Sequence, residues 1–229
     1  MDRVFASWSG GKDCSLALYR AVKSGLPASY LLNMVTEDGT HSRTHGLSVG
    51  VLQAQSQALG IPVMQCQTTW DNYEAEFKQT LRALKLEEIT GAVFGDIDFD
   101  EHRQWIERVC GEVDIAPHLP LWGESQDRLM REFIDLGFEA TVVTTRADLL
   151  GEEWLGRKID RDFLARLNEL GKEKAITPSG EAGEYHTLVT NGPLFNQRIE
   201  ILETRKVRKD EYWFLEILKY GLKPSDNRG

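Results

Sequence analysis

Ser9-Gly10-Gly11-Lys12-Asp13-Cys14-Ser15 gathers the residue types that handle phosphate. Two adjacent glycines let the backbone turn tightly and bring N–H groups close to an anion. Ser9 and Ser15 add hydroxyl donors, Cys14 a weaker thiol donor, and Lys12 a full positive charge. At the start of a helix, such a turn also gains the partial positive charge of the helix end. It is not a Walker A loop, because Ala6 stands where that pattern has its first glycine and Asp13 where it has Ser or Thr. Asp13 offers a hard oxygen of the kind that suits a divalent cation such as Mg²⁺; its structural counterpart is an acid stabilising the first turn of a helix.

Three further segments carry chemistry-bearing side chains. Residues 37–46, EDGTHSRTHG, form a polar, donor-rich run. Gly95-Asp96-Ile97-Asp98 is followed by His102 and Arg103, two acids and a guanidinium suited to metal and phosphate contacts. Gly180-Glu181-Ala182-Gly183-Glu184-Tyr185-His186-Thr187 sets two carboxylates beside a histidine, and a carboxylate there can accept a proton. Each has a plainer reading: a solvated loop, helix caps and a glycine-bearing β-turn.

The elements that must position these groups alternate in the first half. Strands are expected at Val4–Trp8, Tyr30–Val35, Ile61–Cys66, Gly91–Asp98 and Val113–Leu119. Helices are expected at Ser15–Ser24 and Ser48–Leu59, then after Asp71 and Asp100, each of these two acids read as a cap. Such alternation implies a Rossmann-like parallel sheet with ligands at the strands' carboxyl ends. Beyond Pro120-Leu121-Trp122 the pattern changes to helices at Ser125–Leu136 and Asp162–Leu170, a β-rich run at Phe138–Thr144 and mostly β from Tyr185. This reads as a smaller α+β domain from 126 to 229, with Lys223–Gly229 as a disordered tail.

Composition narrows the function classes. The net charge is −9, with 10 basic and 17 acidic side chains in residues 1–125, which argues against coating a nucleic-acid backbone. The basic run Arg205-Lys206-Val207-Arg208-Lys209 reads as a solvated strand edge. No apolar run is long enough to span a membrane. Three scattered cysteines and no CxxC fit neither a disulfide framework nor a thiolate zinc site, and a reducing, cytoplasmic compartment is expected.

Ser9-Gly10-Gly11-Lys12-Asp13 resembles the PP-loop, SGGxD[S], of the ATP pyrophosphatases, with Cys14 where that loop usually ends in serine. The Gly180–Thr187 segment, followed by Asn191-Gly192-Pro193-Leu194-Phe195, resembles the signature of the diphthine–ammonia ligase family, as does Pro120-Leu121-Trp122. The likeness runs from residue 4 to about 195. It implies an adenine nucleotide alpha hydrolase-like fold: residues 1–125 bind ATP, and the smaller domain completes the substrate pocket. It also implies an ATP-dependent, AMP-forming ligase that adenylates a carboxylate and transfers ammonia. Its acceptor would be diphthine on an elongation factor or another acid.

On this resemblance ATP and Mg²⁺ are held by Ser9, Gly10, Gly11, Lys12, Asp13, Cys14, Ser15, His45, Gly95, Asp96 and Arg103, with Asp13 on the metal. Lys12, Asp13, Glu184 and His186 act in catalysis, and Glu181, Gly183, Glu184 and Thr187 line the substrate pocket. Two copies of the chain could pair. The alternatives are a PP-loop enzyme acting on RNA or a small metabolite, and a nucleotide-binding protein without turnover.

Overall fold

The computed structural model describes residues 3–225. Its contacts divide the chain into two compact units, the first made of residues up to Ser9, Asp13–Thr44 and Ile61–Gly123. Five parallel strands form its sheet: β1 (Val4–Ser7), β2 (Ala28–Val35), β3 (Val63–Gln67), β4 (Gly91–Val93) and β5 (Ala116–His118), in the order β3-β2-β1-β4-β5. The central strands β1 and β4 are short and buried, as strands covered on both faces must be, whereas the edge strands β3 (VMQCQ) and β5 (APH) are only partly buried. The order turns outward on either side of β1, so the carboxyl end of β1 is a topological switch point.

Helix α1 (Lys12–Lys23) leaves β1 through the glycine turn and buries Leu16, Leu18 and Ala21. A core of Phe5, Leu32, Phe77, Leu81, Phe94, Ile106 and Val109 fixes the helices that follow β3 and β4, α3 (Tyr73–Leu86) and α4 (Asp100–Gly111). Cys110 belongs to this core, and burial pushes its thiol up to about 12, so it is an inert packing group.

The second unit comprises Gly10–Lys12, His45–Gly60 and Glu124 onward. It contains α2 (Val49–Leu59), α5 (Gln126–Asp135), α6 (Arg161–Gly171) and four strands, β6 (Glu139–Arg146), β7 (Tyr185–Asn191), β8 (Gln197–Lys209) and β9 (Tyr212–Pro224). These strands are antiparallel in the order β7-β6-β9-β8. The basic run 205–209 lies on β8, the edge strand, as expected of residues that discourage edge pairing.

Several expected boundaries move. Helix α1 starts at Lys12 rather than Ser15, so the lysine and Asp13 are already in its first turn. Asn72, not Asp71, occupies the N-cap of α3, because its side chain is held by the preceding turn. Phe99 is the cap of α4, which places Asp100 inside the first turn. Strand β4 ends at Val93, leaving Asp96 and Asp98 in the following loop. Lys223 and Pro224 are not a loose tail: they pair with Arg198 and Gln197, and Ser225 is buried and donates to Asn191 Oδ1 at 2.9 Å. Residues 226–229 of that expected tail lie outside the described residues, as do Met1 and Asp2.

Candidate functional site

The backbone of Gly10–Lys12 runs beside β7 within the second unit. Val189 N donates to Gly10 O at 2.9 Å, and Lys12 N donates to Thr187 Oγ1 at 3.1 Å. Gln55, fully buried on α2, donates from Nε2 to both Gly10 O (2.9 Å) and Val189 O (2.7 Å). The outer edge of β7 is thus paired with the glycine turn, which fixes the turn's conformation. Gly10 has φ +84°, and a Cβ there would stand 2.6 Å from Leu52 Cδ2. A Cβ on Gly11 would stand 2.5 Å from His45 Cε1. Neither position accepts a side chain without displacing its neighbours.

Lys12 is almost fully buried. Its ammonium donates to Ser179 O and lies 5.3 Å from the centre of the Tyr185 ring. A charge-assisted bond and a cation–π contact therefore join the lysine to the loop before β7.

His45 and His186 stack, with ring centres 4.5 Å apart and planes inclined by 28°. His45 Nδ1 is 3.1 Å from Thr187 O, an acceptor only, so Nδ1 carries the hydrogen and Nε2 the lone pair. Burial holds His45 well below the usual imidazole range, with His186 and Lys12 adding to the effect. Burial, then the Lys12 charge, pushes His186 down to about 4. Both rings are neutral at physiological pH.

This pair sets an acid limit on stability. From the ordinary value of 6.5 down to about 4, the unfolded chain binds a proton at His186 that the folded chain does not. Stability is then full above that window and falls as pH falls through it. At about 1.4 kcal/mol per unit, His186 alone should cost about 2–3 kcal/mol by the bottom of the window. Urea unfolding at neutral pH and at about pH 4.5 should show this loss, and His186→Gln should flatten the difference.

The loop from Thr177 to Glu184 folds on itself. Glu184 is fully buried; Oε1 accepts from Thr177 N at 2.6 Å, while Oε2 is buried with no hydrogen-bond partner. Glu181 N donates to Thr177 Oγ1, and Gly183 N to Gly180 O. Gly180 and Gly183 both have positive φ, and a Cβ on Gly180 would strike the Tyr185 backbone and ring. These contacts bring Lys12, Gly10, Gly11, His45, His186 and Thr187 together, with Ser179 and Tyr185 joining Lys12 to the Glu184 loop.

The remaining candidates lie in the first unit. Ser9 Oγ is 3.4 Å from Cys14 Sγ, Ser15 is buried, and Asp13 is half-buried. Gly95 abuts the first turn of α1, where a Cβ would stand 2.7 Å from Cys14 N, so its glycine is required by packing. Asp96 Oδ1 is 3.2 Å from His102 Nδ1. Arg103 pairs with Glu107 at 2.7 Å and lies over the Trp122 ring at 5.1 Å. Gln55 and Ser179 escaped the sequence reading. The signal for Gln55 was a glutamine on the apolar face of α2, visible only once that face is known.

Two family descriptions match the chain: diphthamide synthase N-terminal domain over residues 2–117, and diphthamide synthase C-terminal domain over residues 125–222. The chain is 29% identical over 219 residues to the diphthine–ammonia ligase of Homo sapiens, covering 86% of this chain and 82% of that protein. It is 28% identical over 221 residues to the rat protein of the same name, covering 87% and 82%. The similarly named protein of Schizosaccharomyces pombe is 27% identical over 228 residues, covering 90% of this chain and 37% of the relative.

Proposed function

Since the chain belongs to the diphthamide synthase family, a family of ATP-dependent ligases, we propose that it adenylates a substrate carboxylate, releasing pyrophosphate, and then transfers ammonia to the acyl group with loss of AMP. The observation that carries this reading is the pairing of Gly10–Lys12 with β7, because it joins the phosphate-type turn to the Gly180–Thr187 segment. One segment then serves both substrates.

In the first step the carboxylate attacks the α-phosphorus and the bond to the β-phosphate oxygen breaks. Backbone N–H groups of the glycine turn, the helix start and the Lys12 charge stabilise the negative charge that moves onto pyrophosphate. In the second step ammonia attacks the activated carbonyl, AMP leaves with the C–O bond electrons, and a base takes the proton from nitrogen. Glu184, with one carboxylate oxygen unpartnered, is the group assigned that proton. The neutral His45–His186 pair backs Gly11 and leaves Lys12 as the positive side chain of the turn.

Among the described residues no three His, Cys, Asp or Glu side chains are grouped to hold a metal by themselves. Asp13, one hard oxygen at the first turn of α1, fits a Mg²⁺ brought by the nucleotide, an ion that keeps waters and phosphate oxygens as its other ligands. When bound it would neutralise phosphate charge.

The reading includes Ser9, Cys14, Ser15, Asp96 and Arg103 on the nucleotide. It includes Glu181, Gly183 and Thr187 on the acceptor, and a functional division of the chain near residue 125. It also includes a cytoplasmic location and diphthine or another acid as acceptor; pairing of two copies is a matter for sedimentation. No helix among the described residues is long and apolar enough to cross a membrane.

The test is incubation with Mg-ATP, ammonia and candidate carboxylates. AMP with pyrophosphate is expected. ADP with phosphate would replace the mechanism, and carboxylate-independent ATP binding without products would favour a non-catalytic role.

A further inference from the structure

The loops after β2 and β3 hold an arrangement that the glycine turn does not use. The guanidinium of Arg43 lies over the Trp70 ring, 4.5 Å from its centre. Trp70 is 70% exposed and stacks with Tyr73 at 6.1 Å and 27°. Both loops are pinned. Arg43 N donates to Met34 O at 3.1 Å, and Val35 bridges to Ser42. Thr68 N donates to Val35 O at 3.0 Å; Thr69 N donates to Asn72 Oδ1 at 2.6 Å, and Asn72 N to Thr69 Oγ1 at 3.2 Å. Burial first, then Asp96, pushes Tyr73 up to about 12, so it stays a neutral phenol beside the cation.

Arg43 itself is underused. Its Nε is buried without a hydrogen-bond partner, and no carboxylate among the described residues pairs with it. A buried donor of a charged group is costly to leave unpaired. A guanidinium backed by an aromatic ring directs its donors outward in one plane, which matches the two oxygens of a carboxylate. These loops follow the carboxyl ends of parallel strands, where ligands of such sheets sit.

We propose that Arg43, backed by Trp70, is the subsite that holds the carboxylate of the acceptor. This rests on the adenylation reading above and names the group that would hold the acid while it is activated.

The probe is sodium acetate, the carboxylate alone, titrated into the full-length protein at constant ionic strength with tryptophan fluorescence as readout. Trp70→Phe assigns the signal. Wild type should give a saturable change, and acetamide, the same shape without charge, should give none. Arg43→Gln should weaken the acetate response by at least about tenfold, and Arg43→Lys, which keeps charge but loses the fork, should fall between. ATP affinity of Arg43→Gln should stay within about twofold of wild type, since the subsite is not for phosphate.

The proposal falls if wild type does not respond to acetate, if acetamide matches acetate, or if Arg43→Gln responds as wild type does. It also falls if Arg43→Gln loses ATP affinity about tenfold, which would assign the guanidinium to a nucleotide phosphate. Thermal melting of both variants guards against misfolding, and if Gln unfolds the chain, Lys carries the test. Product analysis of wild type separates the two readings. AMP formation without an acetate response ends the subsite alone, whereas ADP formation ends the ligase mechanism and leaves the acetate result standing.

Discussion

Replacing Lys12 with methionine should lower ATP affinity by about 10- to 100-fold and destabilise the fold by about 2–3 kcal/mol. The two effects have different causes. The ammonium donates to Ser179 O and sits over Tyr185, so its loss leaves a buried carbonyl unpaired and removes a cation–π contact. Methionine keeps the apolar stem, so little of the loss is packing. The affinity loss follows from removing the one full positive charge in the glycine turn. A third readout is specific to the placement: because the Lys12 charge helps hold His186 down, the variant's His186 should titrate higher than in wild type. Calorimetry with ATP, urea unfolding and NMR titration of His186 measure the three separately. Lost stability with unchanged ATP affinity would make Lys12 a tether for the Ser179 loop and take it out of the phosphate site.

That the lysine has this second attachment was not legible in the sequence, for a physical reason. The strand–turn–helix context of Gly10–Lys12 is local, and local signals suffice for it: two glycines, a preceding apolar strand and an amphipathic helix. The parallel sheet was legible for the same reason, because each crossover unit carries its own periodicity. The pairing of Gly10 with Val189 spans most of the chain, and nothing in either segment encodes the other. What the sequence carried instead was an odd residue, Gln55 on the apolar face of α2, whose side-chain N–H groups join those two carbonyls. Boundary errors have similar origins. Asp71 looks like a cap by type, yet Asn72 takes the position while its side chain accepts from Thr69 N, a competition between two local hydrogen bonds. Arg43 stood in the donor-rich 37–46 run, but its pairing with Trp70 was not legible, because a guanidinium over an indole is a contact between two loops, 27 residues apart, with no periodicity to announce it.

Glu184→Gln should leave ATP affinity near that of wild type while slowing AMP formation by about 10²- to 10⁴-fold in the presence of the acceptor and ammonia. The structure separates the two oxygens of this carboxylate. Oε1 accepts from Thr177 N and closes the loop, and a glutamine carbonyl can accept the same bond. Oε2 has no partner and is the oxygen that can take a proton, a capacity the amide lacks. Stability should therefore change by no more than about 1 kcal/mol, whereas Glu184→Ala, which removes both functions, should cost more by leaving Thr177 N unpaired in the loop. The contrast between Gln and Ala distinguishes chemistry from architecture. If Glu184 only shapes the turn, Gln is nearly silent in rate and Ala alone is damaging. If Gln instead lowers ATP affinity with normal turnover at saturation, the buried carboxylate acts on the nucleotide through the Ser179–Lys12 contact, and the proton-accepting role passes to another group. Of the neighbours, the His45 lone pair at Nε2 is then the base to test, because Thr187 O already fixes the hydrogen on the other nitrogen.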